Sequence, residues 1–119
     1  MSAVTTHVLD TGLGRPAVGV PVRLERLADP PEPPQPPALP EVLAEASTDA
    51  DGRIPSLGPD RLEAGTYRLV FDTAAYFDST GQTGFFPSVS VTFDLADPAQ
   101  HYHVPVLLSP FAYSTYRGS

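Results

Sequence analysis

Residues 88–95, SVSVTFDL, carry an apolar side chain at every second position: Val89, Val91, Phe93 and Leu95 alternate with serine, threonine and aspartate. A repeat of two is the period of a pleated strand with one face in a core and the other in water; a helix would need apolar residues three and four apart. The rest of the chain repeats the pattern less cleanly. VTTHVLD (4–10), the stretch in which Val20, Val22 and Leu24 alternate with Arg23 and Glu25, EVLAEAST (41–48), GTYRLVFD (65–72), HYHVPVLLS (101–109) and FAYSTYR (111–117) are short and separated by Gly, Pro and Asp. DADGR (49–53) reads as a turn, and the last two runs join at Ser109–Pro110. Only TAAYFDSTG (73–81) suits a helix, one short turn or two, with Thr73 as N-cap and Gly81 as stop. The expectation is an all-β antiparallel sandwich with one short helix.

At 119 residues the chain fits one domain, 1–119, able to bury somewhat under about 70% of its unfolded surface. It has no cysteine, so no disulfide and no thiolate chemistry, which suits a reducing compartment. MSAVTTHVLD lacks a basic and then apolar leader pattern, no apolar run reaches spanning length, and RGS is no peroxisomal address; the expected location is the cytoplasm. The net charge is −7 and all seven basic residues are arginines, which argues against nucleic-acid or membrane partners and makes each arginine worth locating. DPPEPPQPPALP (29–40) holds seven of the 15 prolines. Such a run favours polyproline II and cannot lie inside a sheet, so it is read as a surface loop insertion, with a ligand for an SH3-like or WW-like partner as the alternative.

No nucleophile elbow, phosphate loop or dinucleotide fingerprint is present, and the Asp-x-Asp-Gly of 49–52 lacks the other ligands of a calcium loop. Three histidines remain. With a period of two, His7 shares a face with Thr5 and Leu9, and His103 shares one with His101, Pro105 and Leu107, opposite the more apolar Tyr102, Val104, Val106 and Leu108. His103 and His7 therefore point away from the core, where a histidine is ordinarily just solvated. His101 and His103 also have the spacing of two ligands on one strand face, with His7 as a third, but no Cys, Asp or Glu completes such a metal site. The chain closes on AYSTYRGS (112–119), passing from a strand-like run into Tyr-Arg-Gly-Ser without a polar tail, which is unusual for a terminus with no task.

HVLDTGLGRPAVGVPVRL, TDADGR and HYHVPVLLSPFAYSTYRGS together resemble the 5-hydroxyisourate hydrolases, the transthyretin-related enzymes of urate breakdown, over nearly the whole chain except the proline-rich insertion. The His-Val-Leu-Asp opening and Tyr-Arg-Gly-Ser ending are what separate those hydrolases from transthyretin, the carrier of the same fold. The resemblance implies an eight-stranded transthyretin-like sandwich, assembled as a homotetramer, that opens a lactam-like bond of 5-hydroxyisourate without metal or cofactor. By motif, it implies His7, Arg53 and His103 as catalytic residues, with His7, Arg53, Tyr116, Arg117, Gly118 and Ser119 binding substrate. His103 is assigned as base on water, Arg53 as the cation for the oxyanion and His7 as donor or electrostatic partner, the two histidines being exchangeable. Gly118 would let the backbone approach a planar ligand. Outward-facing groups from both ends and the middle of the chain would converge where sheet faces meet across a subunit interface. The alternatives are a transthyretin-like carrier of a small aromatic ligand and a structural module without a site.

Overall fold

The structure, a computed structural model, describes residues 2–28 and 39–119. Among them nine strands and one helix follow the expected segments: β1 (Val4–Asp10), β2 (Arg15–Pro16), β3 (Pro21–Leu27), β4 (Glu41–Ser47), β5 (Arg53–Ile54), β6 (Gly65–Phe71), α1 (Thr73–Ser79), β7 (Val89–Leu95), β8 (Tyr102–Ser109) and β9 (Ala112–Thr115). The two-residue strands β2 and β5 were not anticipated, because two residues carry no periodicity.

One sheet runs β4-β3-β6-β7 with every pair antiparallel. The other runs β2-β1-β8-β9, with β5 also pairing to β1. One pair departs from the antiparallel expectation: β1 and β8 lie parallel, from Val4 opposite Tyr102 to Asp10 opposite Leu108. Alternation reports which face of a strand is buried but not which way its neighbour runs. Here the two partners are separated by most of the chain rather than joined by a hairpin.

The sheets enclose one core. Val4 and Val8 of β1 and Tyr102, Val104, Val106 and Leu108 of β8 meet Leu24 of β3, Leu69 and Phe71 of β6, and Val89 and Leu95 of β7. Burying each such side chain contributes about 1.5–3 kcal/mol. In β7 the expected alternation holds: Val89 and Leu95 are buried and Ser90, Thr92 and Asp94 are exposed.

The helix start is shifted by one residue. Asp72, not Thr73, is the N-cap, its carboxylate accepting the Ala75 N–H at 3.0 Å. Thr73 is buried instead, its hydroxyl donating to the Phe86 carbonyl. Two neighbouring cap-competent residues look alike in sequence, and packing chooses between them. Gly81 follows the helix at φ +68°, as a stop residue should. The helix is tied to the end of β1 by Asp10, which accepts from the Tyr76 hydroxyl at 2.6 Å, the Leu13 N–H at 2.9 Å and Gln82 Nε2 at 3.1 Å.

The proline-rich run lies, except for Leu39 and Pro40, outside the described residues. It connects β3 to β4 in the four-stranded sheet. Among the described residues no helix is long and apolar enough to cross a membrane.

Candidate active site

Three local devices bring the singled-out residues to the outer face of the sheet that contains β1 and β8. The first is the DADGR turn. The Asp49 carboxylate accepts the backbone N–H of Asp51 at 2.9 Å and of Arg53 at 3.0 Å, and these bonds hold its pKa below the usual carboxylate value. Gly52 sits at φ +75° with its Cα against the Val8 carbonyl, where any Cβ would collide. β5 then pairs with β1 so that Arg53 stands opposite His7. The turn also holds the His7 ring, whose Nε2 donates to the Asp51 carbonyl at 2.9 Å.

The second device is the parallel register of β1 and β8, which sets Thr5 opposite His103. Thr5 Oγ1 lies 2.8 Å from His103 Nδ1 and 3.0 Å from His101 Nε2. The two imidazoles stack with centroids 6.5 Å apart and planes 21° from parallel. Burial, followed by the nearby His101, Arg53 and His7, pushes the His103 pKa below the ordinary imidazole value.

The third is the segment after β9. Gly118 N–H donates to the His103 carbonyl at 2.8 Å, and a Cβ at Gly118 would come within 2.6 Å of His103 Cδ2. The bare backbone is thus needed against the His103 ring itself. Ser119 beyond it reaches a cleft of about 200 Å³ whose lining includes Thr5, Arg53, His101 and His103.

Tyr116 and Arg117 do not join this group. They line a second cavity, of about 260 Å³, together with Phe93 of β7. The Arg117 guanidinium lies 4.5 Å over the Tyr102 ring and donates to Gln100 Oε1 at 2.9 Å. Arg117 therefore straps the terminal segment to β8 and its preceding turn, and leaves Gly118 and Ser119 facing the histidines.

Three of the other arginines are engaged by carboxylates. Arg23 and Arg68 clamp the buried Glu25 at 2.8 and 2.7 Å, and Arg26 meets Glu63 at 3.2 Å. Arg53 belongs to none of the ion pairs found among the described residues. A guanidinium beside two imidazoles and a hydroxyl, with no carboxylate in direct ion-pair contact among the described residues, suits an oxygen-rich planar ligand or a developing negative charge. Among the described residues no three His, Cys, Asp or Glu side chains are grouped to hold a metal ion.

A model of the HIUase/Transthyretin family matches residues 4–118. The chain belongs to this family. It is similar to a 5-hydroxyisourate hydrolase of Mus musculus, 45% identical over 119 residues that cover 99% of this chain and 96% of the relative. The solved Klebsiella pneumoniae 5-hydroxyisourate hydrolase superposes with a TM-score of 0.81 at 37% identity, covering 98% of both chains. Transthyretin from Sparus aurata superposes with a TM-score of 0.83 at 30% identity, covering 99% of this chain and 97% of that one. The backbone is thus about equally close to both branches of the HIUase/Transthyretin family, and the fold alone does not choose between them.

Thr5 and His101 are among the cleft residues that the sequence does not assign to it. In the sequence Thr5 is placed only by the face it shares with His7, and His101 is weighed only as a metal ligand. The signal that finds both is the facing pattern, since Thr5 and His7 share one face and His101 and His103 another. Only the β1–β8 register shows that these faces adjoin. Arg53, His103 and Ser119 line one cleft on a single chain, brought there by the β1–β5 pairing, the β1–β8 register and the terminal segment.

Proposed function

We propose that the chain hydrolyses 5-hydroxyisourate to 2-oxo-4-hydroxy-4-carboxy-5-ureidoimidazoline, a step of urate and purine degradation, in the cytoplasm and as a homotetramer. The observation that carries the reading is the convergence of His103, Arg53 and Ser119 on one cleft, with His7 in register beside Arg53. The relatives named 5-hydroxyisourate hydrolase support it over nearly the full chain.

Opening the ring requires water to attack a carbonyl, a cation for the oxygen that becomes negative, and a proton for the departing nitrogen. His103, kept neutral by its surroundings, is suited to accept the proton from water, a contribution of about 10²- to 10⁴-fold. Arg53 orients the substrate's oxygen-rich edge with its planar fork and stabilises the oxyanion. Nε2 of His7 already carries a proton, because its partner is a carbonyl that only accepts. That proton is held by the Asp51 carbonyl, so His7 acts as the electrostatic partner, and the departing nitrogen receives its proton from His103 once that ring has taken one from water. Ser119 offers a hydroxyl at the cleft.

Freshly generated 5-hydroxyisourate, followed by its ultraviolet absorbance, tests the reading. Decay accelerated in proportion to protein is expected. Tight binding without turnover would instead make the chain a carrier, as the likeness to transthyretin allows, and indifference to the compound would leave a structural module.

A further inference from the structure

We propose that the Thr5 hydroxyl is a proton bridge between His103 and His101, which lets the single imidazole of His103 serve the cleft first as base and then as acid. The inference rests on the hydrolase reading of the same cleft. Thr5 is 6% exposed, and its Oγ1 is within hydrogen-bond distance of both rings, 2.8 Å from His103 Nδ1 and 3.0 Å from His101 Nε2.

A threonine hydroxyl has one proton to give and lone pairs to receive. It cannot donate to both rings at once. When both imidazoles are neutral and both bonds are made, one ring nitrogen carries a proton toward Thr5 and the other accepts the Thr5 proton. In the first arrangement His103 Nδ1–H donates to Oγ1, Oγ1–H donates to His101 Nε2, and His103 Nε2 holds a lone pair. In the second every proton has moved over by one place, and His103 Nε2 carries a hydrogen. Nδ1 of His103 is occupied by Thr5, and Cδ2 lies against Gly118, so Nε2 is on the edge of the ring left for the cleft.

The reaction carries the first arrangement into the second with one proton more, so that His101 then holds both of its ring hydrogens. As water attacks, its proton binds His103 Nε2, the Nδ1 proton passes to Thr5 Oγ1, and the Thr5 proton passes to His101 Nε2. His103 stays neutral but now bears Nε2–H, and the positive charge rests on His101, which is exposed to solvent. When the ring nitrogen leaves, Nε2 gives it that hydrogen and the three protons return, with no net gain or loss. Keeping the charge off His103 suits its surroundings, since burial and the nearby His101 just before β8, Arg53 of β5 and His7 of β1 all disfavour an imidazolium there. Thr5 touches no substrate in this scheme. It is a positioning residue that acts through His103.

The experiment has two readouts on the full chain. Nitrogen-15 resonances of the histidine rings, measured without substrate, report which nitrogen of each ring is protonated and how each ring titrates. In the wild type, one of the two facing nitrogens, His103 Nδ1 or His101 Nε2, is expected to carry a proton and the other none, so that both neutral rings share one tautomer, and their titrations should be coupled. In Thr5→Val, close in shape but without a hydroxyl, each ring should become a tautomer mixture that titrates alone, and His101→Ala should leave His103 titrating as a single site. Turnover is the second readout: kcat of Thr5→Val should fall roughly ten- to a hundredfold with KM within about twofold, and Thr5→Ser should restore most of it. Unchanged coupling in Thr5→Val, protons on both facing nitrogens in the neutral protein, or a Thr5→Ser variant as impaired as Thr5→Val would each overturn the bridge. The ring measurement needs no hydrolysis, so failure of the hydrolase reading and failure of the bridge are seen separately.

Discussion

Each of the two outward histidines is held by one oxygen of defined chemistry, and that decides what its ring presents. A carbonyl fixes His7 with the proton on Nε2, while a hydroxyl leaves His103 able to hold a proton on either nitrogen. Because the His103 pKa is lowered, the ring is neutral, and able to act as a base, down to a pH below its ordinary value of about 6.5. The acid limb of kcat/KM is therefore expected below pH 6.5. His103→Asn should remove that limb and lower kcat/KM at neutral pH by at least about two orders of magnitude, with an unchanged circular-dichroism spectrum. A wild-type limb above pH 7 would contradict the assignment. Gly118 supplies a second expectation at this scale. The methyl of Gly118→Ala would press on His103 Cδ2, so the ring must turn from Thr5. Turnover should drop at least about tenfold, in the range seen when a group that orients a functional side chain is lost. The melting temperature should move little, since few core contacts involve this terminal segment.

Among the elements, β1 does the most positioning, because its free edge takes β2 and β5 in succession while its other edge takes β8. Its last residue, Asp10, is 1% exposed and ties the strand to α1 through Tyr76 and Gln82. Burial disfavours the charged carboxylate, but the bonds from Tyr76, Leu13 and Gln82 outweigh it and leave the pKa lowered. A carboxyl with a depressed folded pKa contributes stability that is present above its unfolded value, about 3.9, and is lost as pH falls through the folded value. Asp10→Asn should cost about 1–3 kcal/mol at neutral pH, because it leaves buried donors unpaired. Thermal melts of both proteins as a function of pH should converge below about pH 4. A difference that stays constant down to pH 2 would mean that charge plays no part in the link.

For the molecule as a whole, the cleft is small. About 200 Å³ on an open sheet face is less than the roughly 300–1,000 Å³ of sites that enclose a small molecule, so a single chain offers a floor without a roof. A second copy facing this sheet would complete the enclosure and exclude water, in agreement with the homotetramer proposed above. Specific activity should fall on dilution in step with the loss of oligomer measured by analytical ultracentrifugation. Full activity in a verified monomer would show that the floor suffices.

The sequence by itself determined the strand content, the facing of each strand and the kinds of side chain on each face, because these follow from a period of two within a few residues. SVSVTFDL, VTTHVLD and HYHVPVLLS could be read that way with no knowledge of their neighbours. The motif resemblance further named His7, Arg53 and His103. Tertiary structure alone decided that β1 and β8 run parallel and in a register that sets Thr5 against His103, that Arg53 stands opposite His7, and that Arg117 turns to Tyr102 while Ser119 reaches the cleft. Each of these joins residues far apart in the chain, and their relative placement depends on how two sheet edges pack and slide into register. A one-residue slip would leave every local pattern intact while moving each side chain to the other face.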